Sequence, residues 1–154
     1  MALAVGFLPL VCSASPSAVD KALNEVEAAP NPYEMYVSKG DGFFAQKDYE
    51  QALINYKRAI DLQTGTGSIY QKMGDCSAAL GRYHEALVFA QRAVEVDPKN
   101  LKMHLDLAMS YAAVKRFDEA KDELAKARKM AALKEEIADV DYVAQALNEM
   151  VKAQ

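Results

Sequence analysis

The chain has 154 residues, 51% hydrophobic and 26% charged, with a formal net charge of −4. That length suffices for one domain with a sizeable core. No Lys/Arg stripe accompanies the acidic balance, which argues against a general grip on polyanions and so against nucleic-acid binding. With frequent Ala, only 7 Gly and 5 Pro, the composition favours helix.

The chain opens with an apolar run, Ala2 to Cys12, followed by the small polar stretch SASPSA. An apolar run ahead of small residues is the pattern of a secretory signal peptide, with the small residues Cys12 and Ala14 third-last and last before a cut after Ala14. The run is too short for a membrane span, which needs about 20 apolar residues. No Lys or Arg precedes it. The usual positive start of a signal peptide is thus missing, and three readings of residues 1–14 follow: first a signal peptide, then the remnant of a longer anchor or transit segment, then a segment with a lipid-modified Cys12. The expected location is exported (periplasmic, secreted or membrane-associated through this segment), with the cytoplasm as the alternative. Residues 15–32, punctuated by Pro16, Pro30 and Pro32, read as a linker. Within it Val19, Leu23 and Val26 follow a helical spacing, which predicts a short helix over Val19 to Ala28.

From Tyr33 onward the chain repeats itself. Gly40, Gly74 and Ala108 step by 34, as do Ala52, Ala86 and Ala120, and Ala59, Ala93 and Ala127. Phe43, Ser77 and Tyr111 form an imperfect column, and Tyr49, Tyr83 and Phe117 place an aromatic at matched positions. Small residues at fixed positions let antiparallel helices approach closely. The expected units are about 33–66, 67–100 and 101–134, each a pair of helices. Turns are expected at Gln46–Asp48, Leu80–Arg82 and Val114–Arg116 within the pairs. Between the pairs they are expected at Thr64–Thr66, with Gly65 left-handed at the helix end, and at Asp97–Asn100, where Pro98 stops the helix.

A final amphipathic helix is predicted over about 135–152, with Ile137, Val140, Ala144, Leu147 and Val151 as its apolar stripe. Such a helix would close the last core. The boundary at Ala131–Leu133 holds neither Gly nor Pro, so the preceding helix is expected to bend into it without a clear turn.

These residues resemble the tetratricopeptide repeat (TPR) family, whose pattern runs W-x2-L-G-x2-Y…A-x3-F…P over about 34 residues. The first unit supplies Tyr36, Gly40, Phe43, Ala52 and Tyr56; the second Tyr70, Gly74, Ser77, Ala86, Ala90 and Pro98; the third His104, Ala108, Tyr111, Ala120 and Leu124. The resemblance implies an all-α, right-handed solenoid of three helix pairs plus a capping helix, with a groove lined by the first helix of each pair. It places Glu34, Val37, Asp41, Phe44 and Ala45, then Ser68, Gln71, Asp75, Ala78 and Ala79, then Lys102, Leu105, Met109, Ala112 and Ala113 on that groove. The residues expected to touch a partner are Val37, Asp41, Phe44, Gln71, Asp75, Lys102, Leu105 and Met109. The expected partner is a protein or peptide segment with apolar anchors and a Lys or Arg for Asp41 and Asp75. The competing expectation is self-packing or a homo-oligomer through the apolar lining.

In the family that this sequence resembles, some co-chaperones hold the C-terminal carboxylate of heat-shock proteins in a clamp of Lys and Asn from the first repeat, Asn from the second, and Lys and Arg from the third. The matching positions here are Val37, Asp41, Lys72, Lys102 and Asp106, of which only Lys102 fits, so no binding of that tail is expected.

Signals of catalysis are missing. There is no phosphate loop, GxSxG, HExxH or CxxC. His84 reads as exposed and His104 as partly buried in an aromatic column. Cys76 reads as a buried free thiol, and pairs such as Glu135–Glu136 as solvated helix faces. The expected function is a non-catalytic interaction module, an adaptor or assembly factor, needing no cofactor or metal. The alternative is a self-associating structural subunit.

Overall fold

The structure, a computed structural model, describes residues 31–153. The expectations for residues 1–14, for Cys12 and for a helix at Val19 to Ala28 lie outside the described residues. From Pro32 on the chain forms one compact unit. Its elements are α1 (Pro32–Ala45), α2 (Tyr49–Leu62), α3 (Gly67–Ala79), α4 (Tyr83–Val96), α5 (Leu101–Ala113), α6 (Phe117–Met130) and α7 (Lys134–Lys152). Among the described residues there is no strand.

Local chemistry explains where the helices start. Pro32 opens α1, where its missing N–H costs nothing. Asp48 Oδ1 accepts from Gln51 N at 3.2 Å to cap α2, and Thr66 Oγ1 accepts from Ile69 N at 3.4 Å to cap α3.

The turns inside the three hairpins are built alike. Lys47, Gly81 and Lys115 have φ of 61°, 74° and 63°. The next N–H reaches back across each turn: Asp48 to Phe43 O at 2.9 Å, Arg82 to Ser77 O at 2.8 Å, Arg116 to Tyr111 O at 2.9 Å. This Schellman closure satisfies carbonyls that the helix end would leave open. The left-handed residue thus falls in the hairpin turn, not at Gly65 as the sequence suggested. The chain leaves α2 through Gln63 in an extended conformation, which requires no left-handed step. Gly65 is needed for space, because a Cβ there would stand 2.6 Å from Ile60 Cγ2.

α1, α3 and α5 each pack chiefly on the helix that follows, giving three antiparallel hairpins stacked through α2–α3 and α4–α5. Ala52, Ala86 and Ala120 are buried where the paired helices meet. Tyr56 is fully buried and joins Leu53, Ile69, Met73 and Cys76 in the core between the first two hairpins. A large apolar side chain buried this way contributes about 1.5–3 kcal/mol. On the outer side Lys57 meets Glu85 at 3.0 Å, and Arg82 pairs with Glu50, tying α2 to the second hairpin.

The capping helix differs from expectation in two ways. First, α6 and α7 are separated by a real break. Ala131 and Leu133 are extended, and Glu136 accepts from the backbone N–H groups of Ala132 and Leu133 at 2.8 and 2.9 Å. A carboxylate at the third helical position reaching back over the helix start stands in for Gly or Pro as the stop signal. Second, the buried stripe is Val140, Val143 and Leu147, whereas Ile137 and Val151 are 46% and 39% exposed. Val140 and Val143 pack with Leu105, Ala108 and Ala127, and Leu147 packs with Ala112 and Ala120. Because α7 rests on both α5 and α6, the stripe is set by the valley between them.

Candidate functional site

The first helices α1, α3 and α5 each bring one face to a common side of the stack. The groove residues inferred from sequence do not share one fate there. Val37 and Phe44 are half-buried and pack on the first core, with Phe44 edge-on to Tyr49 at 5.8 Å. Leu105 is buried against Val140 and Val143 of the capping helix, and Ala112 is buried as well. These side chains stabilise the stack, so Leu105 offers a partner little surface. Gln71, Asp75, Met109, Ala78 and Ala113 do come together, lining a cleft between α3, α4 and α5. Lys102, at the start of α5, is exposed and lines a second, more open depression with Leu105 and Tyr142.

The cleft has a volume of about 230 Å³. Its floor is made of small residues, Gly74, Ala86, Ala90 and Ala93; Met103, Met109 and Tyr83 wall it; Asp75, Asp106 and Gln71 stand at its polar edge. Sequence reasoning missed the floor. The available signal was Ala90, which falls where Tyr56 and Leu124 stand in the other two hairpins.

The two acids of the sequence column also differ. Asp41 accepts from Tyr56 Oη at 2.7 Å and from Lys72 Nζ at 2.6 Å. Burial would raise its pKa, but those two donors outweigh it and hold the carboxyl below its usual range. Asp41 is thus already neutralised from within, and the expectation that it awaits a partner's cation does not match this geometry. Asp75, one repeat on, receives no hydrogen bond among the described residues. Burial of its inner side and the charge of Asp106 push its pKa up, against the pull of Lys102. Asp106 is tethered by Gln71 and lies 3.5 Å from Lys102 Nζ.

The other reactive groups are accounted for structurally. His104 is buried, with Nδ1 2.7 Å from Glu123 Oε2 and Nε2 3.1 Å from Pro98 O. Cys76 is a buried free thiol whose pKa burial and the charge of Asp75 push up to about 12; it stays protonated and unreactive at neutral pH. Among the described residues no group of three or more His, Cys, Asp or Glu is placed to hold a metal ion. No described helix is long and apolar enough to cross a membrane.

Stacked helical hairpins with an in-phase repeat define a solenoid of the helix–turn–helix class. Family profiles of the tetratricopeptide repeat match residues 33–65 and residues 77–140. The chain belongs to the tetratricopeptide-repeat family, as its sequence column suggested. No curated protein matches it in sequence. Solved structures resemble it in fold. The TPR2B domain of yeast Sti1, in complex with an Hsp70 peptide, is 21% identical with a TM-score of 0.69, covering 80% of this chain and 98% of that one. YrrB, described as a TPR protein with an unusual peptide-binding site, is 22% identical with a TM-score of 0.68, covering 88% of this chain and 67% of that one. The first TPR of Spaghetti (RPAP3), bound to the HSP90 peptide SRMEEVD, is 18% identical with a TM-score of 0.64, covering 75% and 93%. At such identities the likeness shows the fold alone.

Proposed function

We propose that this chain is a non-catalytic protein-interaction module, an adaptor or assembly factor that holds a segment of a partner protein on the face of α1, α3 and α5. The observation that carries this reading is the cleft between α3, α4 and α5, with its apolar floor and an acidic edge that lacks a full complement of cations. An open apolar hollow with a few placed polar groups is what a peptide anchor requires. Peptide-bound relatives of the same fold support the reading by analogy. Export, read from the apolar N-terminus, remains our proposal for its location; full-length protein recovered from the cytosol with Met1 attached would count against it.

A photo-cross-linking residue placed at Ala78, on the cleft, tests the proposal in cells, with Arg92 on the exposed side of α4 as control. The expected result is a partner captured from Ala78 only, and lost in Asp75→Lys. If only copies of the chain itself are captured, the self-associating subunit becomes the better reading. One feature favours that second reading, the exposed Leu133, Ile137 and Val151 of the terminal helix and its entry. Light scattering at rising concentration separates the two, since an adaptor stays at one mass and a self-assembler grows.

A further inference from the structure

The first hairpin shows what the second lacks. In the first, the ring of Tyr56 lies over Gly40, so closely that a Cβ on Gly40 would stand 2.5 Å from Tyr56 Cε1, and its hydroxyl donates to Asp41. Every element of this arrangement recurs 34 residues on except the ring. Gly74 takes the place of Gly40, Asp75 that of Asp41, and Ala90 that of Tyr56. Where the first hairpin has an aromatic, the second has the cleft, and around Gly74 a Cβ would find nothing nearer than Ala86 O at 3.6 Å. The third hairpin fills the same position with Leu124. The hollow is thus a specific vacancy of one repeat rather than a loose fit along the whole stack.

The charges at its edge are equally particular. Lys72 neutralises Asp41 of the first hairpin. The position one repeat beyond Lys72 is Asp106, so the third hairpin sets an acid beside Asp75 where the second sets a cation beside Asp41. Lys102 is the cation that faces this pair, 3.5 Å from Asp106 and two-thirds exposed. Two carboxylates sharing one exposed lysine favour an incoming positive charge.

We infer that the cleft at Ala90 receives one aromatic side chain of a partner peptide, and that a Lys or Arg next to that side chain meets Asp75 and Asp106. This rests on the groove reading above and adds the chemistry of the occupant. The ring enters from the open side and lies over Gly74 between Met103 and Met109, occupying the volume that Tyr56 fills from within in the first hairpin. The apolar floor suits a ring better than a charged side chain, and a phenolic hydroxyl on that ring would meet in Asp75 the acceptor that Tyr56 meets in Asp41. The cation stays at the rim, where it keeps part of its hydration.

The test titrates the full chain, labelled at its methionine methyls, with blocked peptides of the form Gly-Ser-Phe-Arg-Ser-Gly. Variants carry Ala for Phe or Glu for Arg. The expected result is that the Phe-Arg peptide shifts Met103 and Met109 while Met130 stays put, and that either variant peptide binds at least tenfold more weakly. Ala90→Tyr, which restores the ring of the first hairpin, is expected to abolish the shifts. Ala90→Leu, which copies the Leu124 of the third hairpin, does the same if the tyrosine variant fails to fold. Binding that survives both variants overturns the inference but leaves the groove reading standing, provided the cross-link from Ala78 still captures a partner. Loss of both the titration and the cross-link overturns the two together. Two further outcomes overturn the assignment of a separate partner: methyl shifts that grow with protein concentration alone, which give the cleft to a second copy, and tighter binding of a peptide of residues 15–31, which gives it to this chain's own segment.

Discussion

Gly40 and Gly74 occupy the same place in successive repeats, yet they are held by different surroundings. A methyl on Gly40 must displace the Tyr56 ring, which Asp41 pins through its hydroxyl. Overpacking of this kind costs about 1–3 kcal/mol. A methyl on Gly74 meets only ordinary contacts, and Ala in a helix interior gains about 0.5–1 kcal/mol over Gly. Gly40→Ala is therefore expected to lower the urea midpoint and Gly74→Ala to raise it; shifts of the same sign would mean that Ala90 leaves no slack. Glu123 supplies a second contrast. Burial pushes its pKa up, but Lys126 and His104 donate to it and bring it below its ordinary value of 4.5. A depressed carboxylate stabilises the fold above its unfolded pKa, and that contribution fades as pH falls through the folded value. Glu123→Gln should thus cost about 1–3 kcal/mol at pH 7 by leaving buried groups unpaired. Below pH 4.5 the gap between variant and parent should shrink. A gap independent of pH would show that the side chain acts through packing alone. None of this was legible residue by residue. The sequence column put Asp41 and Asp75 in register, but not the Lys72 that reaches Asp41 from the next hairpin.

At the level of elements, spacing alone placed the hairpin turns, because Gly81 and the matched Lys47 and Lys115 recur with the period of the helices themselves. It did not place the face of α7. The stripe read from sequence and the buried one share Val140 and Leu147 and both satisfy a three-and-four spacing; roughly 50° of rotation, about half the step between adjacent residues, separates them. Only the valley between α5 and α6 decides that Val143 is covered and that Ile137 and Val151 are not. The consequence is measurable. Leu147 is 3% exposed, and cutting it to Ala should cost about 2–5 kcal/mol. Ile137→Ala and Val151→Ala should each stay within about 0.5 kcal/mol. Thermal melts of the three variants suffice, and a large loss at Ile137 would restore the stripe read from sequence. The same helix shows why its start was missed. A carboxylate reaching back over two N–H groups leaves no mark as plain as Gly or Pro.

For the whole molecule, the repeat made the stack and the groove side readable, but not which part of the groove is open. That depended on how hairpins meet: Leu105 went to the capping helix, while Ala86, Ala90 and Ala93, read only as helix-packing residues, became a floor. The charge pattern of this face carries one further expectation. The Spaghetti (RPAP3) domain of similar fold holds an acidic peptide, SRMEEVD. Here the two lysines at the matching positions are already engaged, Lys72 by Asp41 and Lys102 beside Asp106. The remaining acid, Asp75, has its charge opposed by Asp106. A peptide bringing several carboxylates would have to break both pairs and then face three acids, a repulsion that suppresses binding. Titration calorimetry with SRMEEVD at low salt is expected to give no measurable heat of binding. Asp41→Asn with Asp106→Asn frees both lysines and should create weak, salt-sensitive affinity for the same peptide. A Kd of about 10 μM or tighter for the parent chain would mean that Lys72 and Lys102 leave their partners readily, and that the acidic edge of the cleft does not select against anions.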